Sequence, residues 1–252
     1  MTPASIIITG ASSGIGAALA RVYAMPGIRL ALGGRDPERL EAVAEDCRAA
    51  GAGVETAVVD VADRDAMSGW TTAVDGRYPL DLVVANAGVS GGTGGGREPT
   101  EQVRRIFAVN VDGTFNTVQP VIPSMMARGR GQIALMSSLA GYRGLPGAPA
   151  YCASKAAIKV YGEALRGELA GAGIGVSVIC PGYVDTPMTR RNRFPMPYLM
   201  DAASAARLIK RRLARNPARI AFPWPMAMAV WLLQALPPGP IDRLLTKLPR
   251  KS

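Results

Sequence analysis

The feature that most constrains this chain is a repeated alternation. Seven short apolar runs, Ser5–Thr9, Ile28–Gly33, Val54–Val59, Asp81–Ala85, Gln132–Ser137, Gly175–Cys180 and Arg219–Phe222, are separated by segments of helical periodicity such as Glu38–Ala50, Asp63–Gly76 and Thr100–Ala127. Strand followed by helix, many times over, builds parallel strands with crossover helices on both faces. The runs are near-continuously apolar (Ile6-Ile7-Ile8, Leu82-Val83-Val84), as a sheet buried on both faces requires.

The unusual residues fall at one edge of that sheet. Thr9-Gly10 follows the first run, Arg35 the second, Asp60 the third and Asn86-Ala87-Gly88 the fourth; Ser138 follows the fifth and Pro181-Gly182 the sixth. In an open parallel sheet, the carboxyl ends of the strands are where ligands bind. The expected fold is α/β: a doubly wound, Rossmann-type sheet of about seven parallel strands, helices on both faces, as a single domain over 1–252. The glycine run 91–96 reads as a flexible loop, because the alternation continues past it.

Composition removes several chemistries. The chain has 252 residues, enough for one sizeable core, and no histidine. Ser-His-Asp and Cys-His catalysis and His-ligated metals are excluded, so proton transfer falls to Tyr, Lys, Asp, Glu, Cys or water. Cys47, Cys152 and Cys180 form no C-x-x-C pair, which reads as free thiols in a reducing cytosol with no metal site. The net charge of +10 fits nucleic acid, anionic membrane or simply a basic enzyme. The arginines are scattered and no nucleic-acid motif accompanies them, so nucleic acid is not expected. Ser5-Ile-Ile-Ile-Thr9 runs into a glycine motif and reads as a first strand, not a signal peptide.

Thr9-Gly10-Ala11-Ser12-Ser13-Gly14-Ile15-Gly16 joins the first strand to a helix. Glycines there permit a tight turn and close approach of backbone to a pyrophosphate, whose charge sits at a helix N-terminus. At the second strand end, Gly34 stands where an acid would bond a ribose 2′-hydroxyl, and Arg35 follows. A guanidinium can grip a 2′-phosphate bidentately, which points to NADP(H). Two alternatives stay open: Arg35 as a solvated helix start with Asp36 as its N-cap, or Asp36 reaching the ribose, in which case NAD(H) fits.

Tyr151 and Lys155 are four apart and share a helix face. A phenol of pKa near ~10 becomes a useful acid and base when a cation stabilises its anion, and Lys155 can supply that charge. Ser138 lies thirteen residues upstream, at a strand end. Singly, each residue has a plainer reading: Ser138 as a turn cap, Asn110 as a helix break, Asp60 as a strand-end cap.

Jointly these motifs resemble the short-chain dehydrogenase/reductase family, in its compact branch. The matching segments are T-G-A-S-S-G-I-G at 9–16, D-V at 60–61, N-A-G at 86–88, N-V-D-G at 110–113, S-S-L-A-G at 137–141, Y-C-A-S-K at 151–155 and P-G-Y-V-D-T at 181–186. The resemblance implies that Tyr151 exchanges the proton while hydride moves, and that Ser138 bonds the substrate oxygen. Lys155 holds the nicotinamide ribose and lowers the Tyr151 pKa; Asn110 holds a water linking Lys155 to solvent. It also implies a cofactor cleft made by Gly10, Ser12, Ser13, Gly14, Ile15, Gly16 and Arg35. Asp60 and Val61 contact adenine there, Asn86, Ala87 and Gly88 line the cleft, and Pro181, Gly182 and Val184 complete it. Thr186 bonds the carboxamide.

Residues 183–200 stand where the family carries a substrate lid. Flexible Met188, Met196 and Leu199 suit an apolar substrate and Arg190, Arg191 and Arg193 an anionic group; a solvated basic loop is the alternative. A hydrophobic and basic extension covers 222–252. Met226–Leu236 is too short to span a bilayer, yet Trp224 and Trp231, flanked by Lys210-Arg-Arg212, Lys247, Arg250 and Lys251, suit an interfacial helix on anionic lipid. Packing or a dimer contact ranks first there, and peripheral membrane contact second. The expectation is a cytoplasmic oxidoreductase, homodimeric or homotetrameric by resemblance, acting on a hydrophobic carbonyl or alcohol. A nucleotide sensor without turnover and a membrane-surface scaffold, at the inner membrane face, are the alternatives.

Overall fold

The protein's computed structural model describes residues 3–94, 96–192, 194–237 and 239. The first half runs β1 (Ser5–Thr9), α1 (Gly14–Tyr23), β2 (Arg29–Gly34), α2 (Pro37–Ala49), β3 (Gly53–Val58), α3 (Arg64–Arg77) and β4 (Leu82–Ala85). Then come α4 (Thr100–Phe107), α5 (Gly113–Val118), α6 (Ile122–Arg128), β5 (Gly131–Met136), α7 (Pro149–Leu169) and β6 (Ile174–Pro181). The chain continues with β7 (Val184–Asp185), β8 (Met200–Asp201), α8 (Ala202–Leu213), β9 (Arg219–Phe222) and α9 (Trp224–Ala235). Seven strands form one sheet in the order β3-β2-β1-β4-β5-β6-β9, and every neighbouring pair is parallel. This is the doubly wound arrangement expected from the sequence, with its order reversal between β1 and β4.

The apolar runs are continuous because each strand is covered twice. Ile6 and Ile8 face a layer built with α1, α2 and α8, whereas Ile7 faces the layer built with α3 and α7; all three are fully buried. Period-two alternation therefore persists, but both phases are apolar. Aspartates close several strand-to-helix links. Asp36, Asp63 and Asp201 accept from the N–H groups of Arg39 (3.0 Å), Ala66 (3.0 Å) and Ser204 (2.8 Å), satisfying donors that each helix start would leave bare.

The segment Thr100–Ala127 departs from the continuous helix that its periodicity predicts. It is α4, a π-turn over Ala108–Asp112, α5, a 3-10 turn over Gln119–Val121 and α6. The second break follows from Pro120 and Pro123, which donate no N–H to the helical ladder. The first sits at Asn110 and is treated below, since π-turns concentrate at functional sites. Near the far edge, β7 and β8 pair as a short parallel ribbon through Val184↔Met200 and Asp185↔Asp201. That ribbon ties the two ends of residues 186–199 together beside the carboxyl end of β6.

Candidate active site

The carboxyl ends of the central strands open into a cleft of about 620 Å³. At its floor the chain turns through Gly10 and Gly14, whose φ angles of +66° and +57° disfavour any side chain. A Cβ on Gly10 would lie 2.8 Å from Ala87 Cα, and one on Gly16 would lie 2.5 Å from Asn86 Nδ2. Asn86 explains this tight fit. Its Nδ2 donates to Thr9 O (2.9 Å) and Gly10 O (3.3 Å), tying β4 to the glycine turn. Ser13 stands before α1 without a side-chain hydrogen bond to it, so the first N–H groups of that helix carry no side-chain cap beside the cleft.

At the end of β2, Arg35 is exposed on the cleft, and Arg39, in the first turn of α2, joins it. Asp36 is committed elsewhere: it caps α2 and pairs with Arg39 at 3.2 Å. Gly34 is buried beside Ser12, and a Cβ there would lie 3.3 Å from the Ser12 Oγ. Asp60 accepts from Ala62 N (3.0 Å) and Arg105 Nη2 (2.8 Å). Burial opposes its charge, but Arg105, the Ala62 N–H and the nearby Arg35 charge outweigh burial and hold the carboxyl below its ordinary range.

At the other end stand Ser138, Tyr151 and Lys155. The Ser138 hydroxyl accepts from Ala140 N (3.1 Å) and forms a hydrogen bond with the Tyr151 hydroxyl. Burial pushes the Tyr151 phenol up to about 12, with the Ser138 bond acting the other way. Lys155 Nζ donates to Met136 O (2.9 Å) and lies 5.8 Å from the Tyr151 ring centre. Burial pushes Lys155 down to about 8, opposed by the nearby Cys180. Gly88 faces this ammonium: a Cβ there would lie 3.3 Å from Lys155 Nζ and 3.2 Å from Asn110 Oδ1.

This geometry accompanies a likeness along the whole chain. A profile of the short chain dehydrogenase family matches residues 4–195. The chain belongs to the short-chain dehydrogenase/reductase family. It is 41% identical over 249 residues to an uncharacterized oxidoreductase of Myxococcus xanthus, covering 98% of each chain. It is 33% identical over 243 residues to an uncharacterized oxidoreductase of Mycobacterium tuberculosis, covering 94% of this chain and 96% of that one. Among solved structures, it matches a short-chain dehydrogenase of Sphingobium yanoikuyae in complex with NADPH. The TM-score is 0.82 at 25% identity, over 98% of this chain and 97% of that one. A short chain dehydrogenase of Mycobacterium paratuberculosis bound to NAD gives 0.79 at 26% identity, over 89% and 97%.

In this short-chain dehydrogenase, Gly16, expected in the cofactor cleft, and Asn110, expected to hold a water linking Lys155 to solvent, stand behind the cleft wall. Gly16 supplies the space that lets Asn86 reach the glycine turn. Asn110 is fully buried in the π-turn: its Oδ1 accepts from Val89 N (2.8 Å), and its Nδ2 donates to Val89 O (3.0 Å) and Ser154 Oγ (3.0 Å). Ser154 in turn donates to Tyr151 O (2.8 Å), so Asn110 braces the first turn of α7. The other expected residues line the cleft, from Ser12, Ser13 and Ile15 through Val61 and Ala87 to Pro181, Gly182, Val184 and Thr186. Arg193 lies outside the described residues.

Ser137 and Gly141 stand in the serine motif, but their contacts, and the parts played by Arg39, Arg105 and Thr189, are hardly legible in sequence. Ser137 Oγ donates to Lys155 O (2.7 Å), and a Cβ on Gly141 would lie 2.8 Å from that same carbonyl, so the serine loop sits directly on α7. Arg39 had a weak signal, its place in the first turn of the helix that follows Arg35. Arg105 had none, because only folding brings it to Asp60. Thr189 Oγ1 donates to Val184 O (2.6 Å) and accepts from Thr186 N (3.0 Å), fixing the turn that presents Thr186.

Proposed function

We propose that this oxidoreductase uses NADP(H) to move hydride between the nicotinamide and a carbonyl or alcohol carbon of a hydrophobic substrate, with Tyr151 as the acid and base. The observation that carries the reading is the Ser138–Tyr151 hydroxyl pair on the cleft wall, with the Lys155 ammonium one helical turn along α7. Nicotinamide, when bound, supplies or takes the hydride. Tyr151, held up near 12 by burial, keeps its proton at neutral pH and can pass it to a carbonyl oxygen. Ser138, oriented by Ala140 N–H, places a second hydroxyl on the same oxygen. Lys155, held down near 8, is still charged at neutral pH and favours the phenolate left after proton transfer. Asn110 acts through Ser154 and the backbone of Tyr151 as a positioning residue.

The nucleotide half fits the cofactor. Glycines 10, 14 and 88 leave cradles that a Cβ would fill, the start of α1 has no side-chain cap, and Asp60 and Val61 stand at the end of β3. Arg35 and Arg39 favour a 2′-phosphate, and the commitment of Asp36 to its helix removes the rival acid. NAD(H) is the weaker ligand in this reading. Residues 183–200 act as the lid of a single domain, and Val89, Val109, Pro187 and Met188 line the cleft with apolar surface. Family resemblance favours a homodimer or homotetramer, and the three buried free thiols suit a reducing, cytoplasmic setting.

A panel of hydrophobic ketones and alcohols, followed by NADPH and NADH absorbance, tests the reading. Turnover with kcat/KM higher for NADPH is expected, and Arg35→Ala should cost about tenfold with NADPH and little with NADH, as for loss of one charged hydrogen bond. Equal use of both nucleotides by the parent overturns the cofactor assignment. Tight nucleotide binding without turnover on any member supports a sensor instead.

A further inference from the structure

Helix α9 separates the readings of the C-terminal segment by face. Its inner face, Met226, Ala227 and Val230, packs on Leu139, Tyr142 and Cys180, the cluster behind the catalytic serine. A Cβ on Gly182 would lie 2.9 Å from Met226 Sδ, so the helix begins one side chain from the cleft wall. Its outer face is apolar and open. Trp224 is 70% exposed, Met228 40%, Trp231 54% and Leu232 54%, and Leu236 just beyond the helix is 51% exposed. Positions 224, 228, 231 and 232 follow the i, i+4, i+7, i+8 spacing of one helical stripe. Residues 220–241 contain no charged side chain, and two of the chain's three tryptophans lie on this stripe.

We propose that the outer face of α9 docks on an anionic lipid surface, with Trp224, Trp231 and Leu232 in the interface. Length excludes a spanning role: twelve residues make about 18 Å of helix. Among the described residues no helix is long and apolar enough to cross a membrane. Charge selects the occupant. Arg143 stands at the end of the helix, its Nη1 donating to Leu236 O (2.9 Å). The sequence that follows carries Arg243, Lys247, Arg250 and Lys251 against Asp242 alone, on a chain of net charge +10. The structure of those following residues lies outside the described set. A second copy on the same face would bring a stripe that itself carries no acid, and so offers no opposite charge to Arg143 or to the bases that follow in sequence. An anionic bilayer offers opposite charge to Arg143 and to a sequence so rich in bases, and tryptophan prefers the headgroup level.

Co-sedimentation of the full chain with phosphatidylcholine vesicles, and with phosphatidylcholine–phosphatidylglycerol vesicles, tests this. Binding to the mixed vesicles should exceed binding to the neutral ones by about tenfold or more, shift tryptophan emission to the blue, and weaken with salt. The double substitution Trp231→Glu, Leu232→Glu should abolish it while the thermal unfolding midpoint stays near that of the parent. No binding to the mixed vesicles overturns the proposal. So does binding that the double variant retains, or a parent dimer that the double variant converts to monomer, which would make the stripe a contact between copies. Should the variant fail to fold, the emission shift of the parent alone decides, and its absence on mixed vesicles overturns the proposal.

Discussion

Helices α7 and α9 press on the same serine loop, yet they are built in opposite ways. α7 is pinned throughout. Ser137 and Gly141 lie against its backbone at Lys155, Asn110 braces its first turn through Ser154, and a Cβ on Gly162 would lie 2.5 Å from Val178 Cγ2. α9 has no fully buried residue and is held along one stripe. The over-determination of α7 suits the proton chemistry proposed for Tyr151, because a phenol must hold its position to within a fraction of an ångström to act on a substrate. The helix behind it is fixed well enough to seal the cluster, and its outer face remains available for another surface.

Substitutions that break this contrast should rank accordingly. The largest effect belongs to Tyr151→Phe: turnover should fall by about 10²- to 10⁴-fold while nucleotide titration by fluorescence is unchanged. Retained turnover would remove Tyr151 from the proton path. Next, Gly162→Val should destabilise the fold by about 1–3 kcal/mol in denaturant titration, because the added methyls have no room against Val178 and Leu135. An unchanged midpoint would mean α7 is less tightly seated than its contacts require. Third, carbonyl reduction should be level below about pH 7 and decline as Lys155 loses its charge through about 8. The sign follows from a lysine lowered by burial, protonated below that value and neutral above it. A rate that rises through this range would sink the role of the ammonium. Smallest is Trp231→Ser on the open stripe of α9, expected to alter stability by no more than about 0.5 kcal/mol in the same titration. A larger loss would show that α9 is seated as firmly as α7.

Much of this was legible in the chain. The seven strands appear within one or two residues of the apolar runs, and Arg219–Phe222 coincides with β9. The residues at the strand ends converge because a parallel sheet brings all its carboxyl ends to one edge. What stayed hidden depends on partners distant in sequence. Periodicity over Thr100–Ala127 cannot report that Asn110 trades a regular helical turn for bonds to Val89 and Ser154. Nor can it report that Arg105 supports Asp60 across 45 positions. In sequence the C-terminal run suits packing, a dimer contact or a membrane, because an all-apolar helix looks alike in each setting until one face is seen to be covered.

The sequence by itself determined the layers, the glycine turn and the shared helix face of Tyr151 and Lys155, since these rest on local spacing and on burial on both sides of a strand. Only the tertiary structure decided the charge state of the site and the division of α9 into a held face and an open one. Burial raises Tyr151 and lowers Lys155 through desolvation, a property of everything packed around a group and of no residue alone.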